Sequence, residues 1–350
     1  MIRFALIVAS TLGFFLTAAL GNLMVPLLRA FRQQPKTRET WVEPEPPPSQ
    51  PQPAQPPSDP EPQPPTMGGL CLMVGTLAAL GVGWTAACIA QPELLGNEGL
   101  LTTRLLIGLF GGLLFGAVGL ADDLTRLRRH SPLGLRRTTR LALEAAAAAA
   151  VQVLLAAHHC LASGVTLPGV GYWELGRAAP VVWELLLVAL AESVRVTDGI
   201  DGVLCGTAFA AMLGLMVSMT VLGWFPLAVL PAALAGALLA FLLWNFYPAK
   251  LLPGAVGSLF VAGVLGCVLL AIGWPGLTLP LALPYWLEGG MVAVQIAVYR
   301  LSNGRRQLFA TAPLHRWLEK RGRDPVTIFY IFTVIALLGI ALTVQMAKIS

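Results

Sequence analysis

The chain has 350 residues, of which 56% are hydrophobic and only 12% charged. A water-soluble domain of that length has no interior large enough for so much apolar surface, so the composition points to a protein embedded in a membrane. The net charge of +5 does not argue for nucleic acid, because basic residues beside membrane spans usually set orientation.

A helix needs about 20 apolar residues to cross the hydrocarbon layer. On that criterion spans are expected at about 4–28, 67–90, 105–121, 141–158, 179–194, 203–224, 226–245, 257–274, 279–299 and 326–346. Arg3 precedes a long apolar run with no small-residue cleavage site and soluble domain after it, so the first segment reads as a retained span. Pro226 is expected to mark a tight turn between two neighbouring spans. Lys and Arg gather in alternate connections: Arg29, Arg32, Lys36 and Arg38, then Arg126 to Arg140, then Arg195, Lys250, and Arg300 to Arg323. The other connections hold little beyond Arg104 and Arg177. That alternation places the first set in the cytoplasm and both termini outside. The expected fold class is an all-α polytopic membrane protein of about ten transmembrane helices, one domain over 1–350. Residues 43–65 form a Pro/Gln/Glu/Ser tract that reads as a disordered cytoplasmic loop, a spacer more readily than a partner ligand. The five cysteines are scattered without metal spacing and read as small buried hydrophobes.

Asp122-Asp123 close the third span and run into the arginine-rich loop. Adjacent carboxylates repel, which raises one pKa or recruits a cation. They suit activation of a phosphate nucleophile or a share in holding Mg²⁺; a solvated helix end paired with Arg126 is the plain alternative. Asp198 and Asp201 are each followed by glycine, which lets a ligand approach the main chain closely. Asn245 ends an otherwise apolar span ahead of Pro248, and its amide suits a nucleobase, a sugar or a helix cap. Gly254-Ala255-Val256-Gly257-Ser258 has the form of an anion-binding turn before a helix. Glu144 and Glu288 lie within apolar runs and are expected to face the bundle, paired with a basic or polar neighbour such as Gln295. His315, in the last basic loop, is by itself an unremarkable histidine.

Taken in order, these segments resemble the phospho-N-acetylmuramoyl-pentapeptide transferase family, within the polyprenyl-phosphate hexosamine-1-phosphate transferases. Pro65-Thr66-Met67-Gly68-Gly69-Leu70 is similar to that family's opening motif, and Gly119-Leu120-Ala121-Asp122-Asp123 to its aspartate pair. Residues 197–202 resemble its central motif, 245–258 its Asn-x-x-Pro-Ala…Gly-Asp-x-Gly-Ser segment, and 312–319 its Ala-Pro-x-His-His-His-x-Glu segment. The resemblance implies ten spans, a bacterial plasma-membrane location and a cytoplasmic site using Mg²⁺. It implies transfer of phospho-MurNAc-pentapeptide from a UDP carrier to undecaprenyl phosphate in the membrane lipid, without nucleic acid, and it suggests a homodimer.

The departures matter as much. Ala255 stands where the family has its metal-binding aspartate, and Leu252 where an aromatic contacts uracil. Of three histidines only His315 remains, followed by Arg316 and Trp317; Glu192 and Arg195 replace two asparagines. Two readings follow. In a working transferase, Asp122 or Asp123 would activate the lipid phosphate, and Asp198, with Glu192, would hold the ion. Thr66, Asp201, Asn245 and Ser258 would contact substrate, while Arg195, His315 and Arg316 steady the diphosphate. In the alternative, a catalytically inactive relative serves as a membrane binding or scaffold protein. A transporter fits the span count, but its polar groups would belong at mid-membrane and not at one edge.

Overall fold

The computed structural model describes residues 2–30, 64–95, 99–129, 134–167 and 171–349. The tract expected to be disordered at 43–65 lies, up to residue 63, outside them.

Each of the ten expected segments coincides with a helix. In chain order these are α1 (Ile2–Ala30), α2 (Gly69–Ala90), α3 (Gly99–Arg129), α4 (Arg137–Ala157), α5 (Ala179–Thr197), α6 (Val203–Val221), α7 (Val229–Asn245), α8 (Gly254–Ala271), the pair α9 (Thr278–Leu281) and α10 (Leu283–Leu301), and α12 (Pro325–Ile349). A short α11 (Leu314–Lys320) precedes the last. Eight helices among the described residues are long and apolar enough to cross a membrane, or nine if a bent pair counts as one span. The remaining one, α5, carries Glu184, Glu192 and Arg195.

Two departures from the expected ladder are local. The segment 279–299 is not one straight helix: α9 and α10 meet at 85°. Pro280 and Pro284 flank the break, each removing a backbone donor from the ladder. Between α4 and α5 the chain forms a small antiparallel hairpin, β1 (Gly164–Leu167) with β2 (Gly171–Glu174), which the apolar pattern does not announce. The turn at Pro226 is present: α6 ends at Val221 and α7 begins at Val229.

The bundle is built around α8, all eighteen of whose residues are buried. In a bilayer, helices gain little from hiding apolar surface from lipid, so they associate through close packing and small residues. Here α3 turns a strip of glycines toward α8. A Cβ on Gly108 or Gly112 would press into Val268 or Val264, and one on Gly119 would meet the Ala255 carbonyl at 2.2 Å. On the other flank, a Cβ on Gly69 would meet the Gly257 nitrogen at 2.2 Å, so α2 and α8 touch backbone to backbone. Arg104 donates to the Ala271 carbonyl at the far end of α8 and lies 4.9 Å over the Trp224 ring. A cation there complements the negative end of the helix dipole. All five cysteines are buried and unpaired, as small core residues.

Candidate active site

The motif-bearing ends of α3, α5, α7 and α8 meet at one end of the bundle, and backbone bonds fasten them together. Gly68 and Gly69 donate to the carbonyls of Leu252 and Pro253, both at 2.9 Å, and Leu252 donates back to Pro65 at 2.9 Å. The opening motif is therefore zipped to the segment before α8. Asn245 accepts from the Gly202 amide (3.1 Å) and donates to the Leu251 carbonyl (3.1 Å), so its buried amide ties the 197–202 loop to the end of α7. Asp201 accepts from the Ala249 amide at 3.1 Å, which adds a second tie. Ile200 and Val203 complete the anchorage by packing on Ile328 and Phe332 of α12.

The aspartate pair is a structural knot. Asp122 is fully buried, accepting from the Leu135 amide (2.7 Å) and from Arg126 (2.8 Å). Asp123, also buried, accepts from the Val256 amide (3.1 Å) in the first turn of α8. A carboxylate at a helix N-terminus satisfies an orphan donor and opposes the positive end of the dipole. As placed, the pair holds the loop after α3 and the start of α8.

A cavity of about 400 Å³ opens between these ends. Its polar lining comprises Arg126, Arg137, Arg140, Arg195 and Arg316, with Glu192, Asp198, Ser258, Gln295 and His315; Ala255 also borders it. Of the expected site residues it brings together Asp198, Glu192, Arg195, Ser258, His315 and Arg316. Thr66, Asp123, Asp201 and Asn245 are not among its lining residues, and Asp122 bonds to Arg126, which is. Ser258 points its hydroxyl at the Gly254 and Ala255 carbonyls (3.1 and 3.3 Å).

Glu192 is the centre of a charge cluster. Arg140 reaches it through Nε and Nη2 (3.1 and 3.4 Å), and Arg195 does the same (3.3 and 3.4 Å). Glu144, buried on α4, lies 3.7 Å from Arg140 Nε, and neither of its oxygens has a hydrogen-bond partner among the described residues. Bidentate arginine–carboxylate pairing is among the stronger ionic geometries. Glu288, expected beside Gln295, instead clasps His315, while Gln295 exchanges bonds with the Phe309 backbone (2.9 and 3.2 Å). Trp317, at another of the family's histidine positions, carries Arg321 on its ring at 3.8 Å.

The magnesium ion implied by the resemblance can be tested on this donor set. Position 255 offers a methyl group. Both oxygens of Glu192 are clasped by two guanidiniums, which leaves Asp198 as the remaining carboxylate of the lining. Among the described residues no group of three or more His, Cys, Asp or Glu side chains is placed to hold a metal ion. Mg²⁺ asks for near-octahedral oxygen ligands, commonly one or two carboxylates with substrate phosphates, and the guanidiniums crowding this lining repel a dication beside them. These residues do not fit it, and the expected pairing of Glu192 with Asp198 as metal ligands gives way to an arginine clasp.

Arg126 pairs with Asp122, as the plain reading of the aspartate pair has it, but Arg137 and Arg140, which the sequence offers only as markers of orientation, line the cavity. The link from Glu288 to His315 had no signal in the sequence. A signal existed for Arg140: it stands four residues before Glu144, on the same helix face.

Fold and site define a polytopic membrane protein with an arginine-lined cavity at one end of its bundle. Residues 105–273 match the model of glycosyl transferase family 4. The phospho-N-acetylmuramoyl-pentapeptide-transferase of Thermosynechococcus vestitus is 32% identical over 334 residues, covering 94% of this chain and 82% of that protein. That of Clostridium kluyveri is 26% identical over 96% of this chain and 97% of its own length, and that of Lactiplantibacillus plantarum 28% over 80% and 83%. The chain belongs to the phospho-N-acetylmuramoyl-pentapeptide-transferase family, and it is a multi-pass protein of the bacterial plasma membrane.

Proposed function

We propose that this chain is a membrane phosphosugar transferase of peptidoglycan precursor synthesis, acting at the cytoplasmic face. It moves a phospho-N-acetyl-sugar, of the phospho-MurNAc-pentapeptide type, from a UDP carrier to undecaprenyl phosphate. The observation that supports this most is the cavity itself, where five arginines, Asp198 and His315 converge from separate motifs. Its volume falls within the usual range of small-molecule sites, about 300–1,000 Å³.

In the transfer, an oxygen of the lipid phosphate attacks the β-phosphorus of the UDP-sugar. A new P–O bond forms as the bond from that phosphorus to the bridging oxygen breaks, and UMP leaves with the bridging oxygen. Charge grows on the bridging and equatorial oxygens, where guanidinium groups stabilise it most. In this reading Arg195 and Arg316 take that task, and Asp198 or His315 takes a proton from a protonated lipid phosphate; all four line the cavity. Asp122 and Asp123 act through the wall they hold.

One observation favours the inactive relative: the methyl group of Ala255 borders the cavity, at a position where the resemblance implies a carboxylate. The test is UMP release by the purified full chain from UDP-MurNAc-pentapeptide and undecaprenyl phosphate. Release above that of an Arg195→Ala variant is expected. No turnover with this or other UDP-sugars would leave only a binding role.

A further inference from the structure

We infer that the cavity recognises the diphosphate of a nucleoside diphosphate sugar with guanidinium groups alone, so that binding needs no divalent cation. This rests on the nucleotide-sugar reading above and specifies how that ligand is held. Three observations carry it.

The first is the fixed place of the missing carboxylate. Ala255 lies in the first turn of α8, its carbonyl pressed against Gly119 and the next amide bonded to Asp123. The backbone there has no room to move, so a neighbouring acid is not brought in by a small shift. The second is the state of the carboxylate the sequence offers instead. Glu192 is already neutralised, accepting two bonds from Arg140 and two from Arg195. A hard dication would have to displace guanidiniums from both of its oxygens.

The third is the donor capacity left over. Glu192 takes Nε and Nη2 of Arg140, and nothing among the described residues takes its Nη1. Arg137 lines the same cavity and forms no ion pair among the described residues. Arg316 is held only loosely, 3.7 Å from Glu319. Guanidinium presents a planar fork of donors that matches phosphate oxygens in pairs. Glu192 therefore acts as a positioning residue: it fixes the Arg140 fork at the wall, so that the donor left over meets a ligand without searching rotamers.

The test is calorimetric binding of UDP to the purified full chain, in magnesium and in EDTA. The dissociation constant in EDTA is expected to stay within about twofold of that in magnesium. Arg137→Gln, an exposed change that leaves the buried cluster alone, should weaken binding in both buffers by about tenfold, the cost of one charge-assisted bond. Ala255→Asp should make binding sensitive to EDTA. A tenfold loss in EDTA by the unmodified chain would overturn the inference, as would no binding in either buffer or an unaffected Arg137→Gln. Metal-independent binding without UMP release would sink the transferase reading and leave this one standing.

Discussion

Glu288 holds His315 at two points, one carboxylate oxygen accepting its backbone N–H and the other meeting its ring Nδ1, each at 2.9 Å. A carboxylate only accepts, so Nδ1 carries the proton and Nε2 is turned to Gly199, the neighbour of Asp198. Replacing Glu288 by Gln keeps an acceptor for the backbone amide but offers a donor to Nδ1, which inverts the tautomer. Glu288→Gln should melt close to the unmodified protein yet release UMP at least about tenfold more slowly, the kinetic equivalent of 1.4 kcal/mol. Unchanged turnover would show that the ring orientation is not used.

The same ring leaves no room at Gly199. A Cβ there would lie 2.3 Å from His315 Nε2, and His315 is buried and clamped from behind. Gly199→Ala should therefore lower UMP release sharply while leaving the melting of the bundle nearly intact. Equal activity would mean that Nε2 does not stand where the cavity needs it.

The cluster around Glu192 makes a stability prediction. Arg140→Met removes the cation nearest Glu144, a buried carboxyl whose oxygens have no hydrogen-bond partner among the described residues, and two of the four bonds to Glu192. Breaking a buried ion pair from one side costs about 3–5 kcal/mol, which should appear as a clear drop in melting temperature in detergent. Adding Glu144→Gln should recover much of it, because no lone charge then remains. Melting of Arg140→Met at the temperature of the unmodified chain would dissolve the cluster as described.

Asp123 separates a structural from a chemical role. As a cap on α8 it needs only an acceptor, so Asp123→Asn should keep stability and most of the turnover. Asp123→Ala should cost about 1 kcal/mol, the usual loss of a cap. A hundredfold loss of UMP release in the Asn variant would restore the direct role in chemistry that the paired aspartates suggest in the sequence.

The helices were readable because their apolar runs are long and their breaks carry charge or proline. The convergence of motifs followed from charge alternation, which put each of them at one edge. What could not be read was which polar atoms spend themselves on the backbone. In a string of letters Asn245 reads equally as a ligand contact or a helix cap, and the Asp122-Asp123 pair as a phosphate or metal group or as a helix end paired with Arg126; the bonds they make to the main chain and to Arg126 depend on loops whose paths the pattern does not encode. Glu192 looked like a spare metal ligand because Arg140 is 52 positions away and lies on another helix. The hairpin 164–174 was missed for a simpler reason: its eight strand residues are too few for alternation to rise above the apolar background.

The most direct measurement is an electron cryomicroscopy map of the full chain in lipid nanodiscs with a UDP-sugar. Diphosphate density between Arg140, Arg195 and Arg316, over the Ala255 turn and beside His315, is the predicted result. Density for the nucleotide sugar elsewhere on the protein, with this cavity empty, would contradict it.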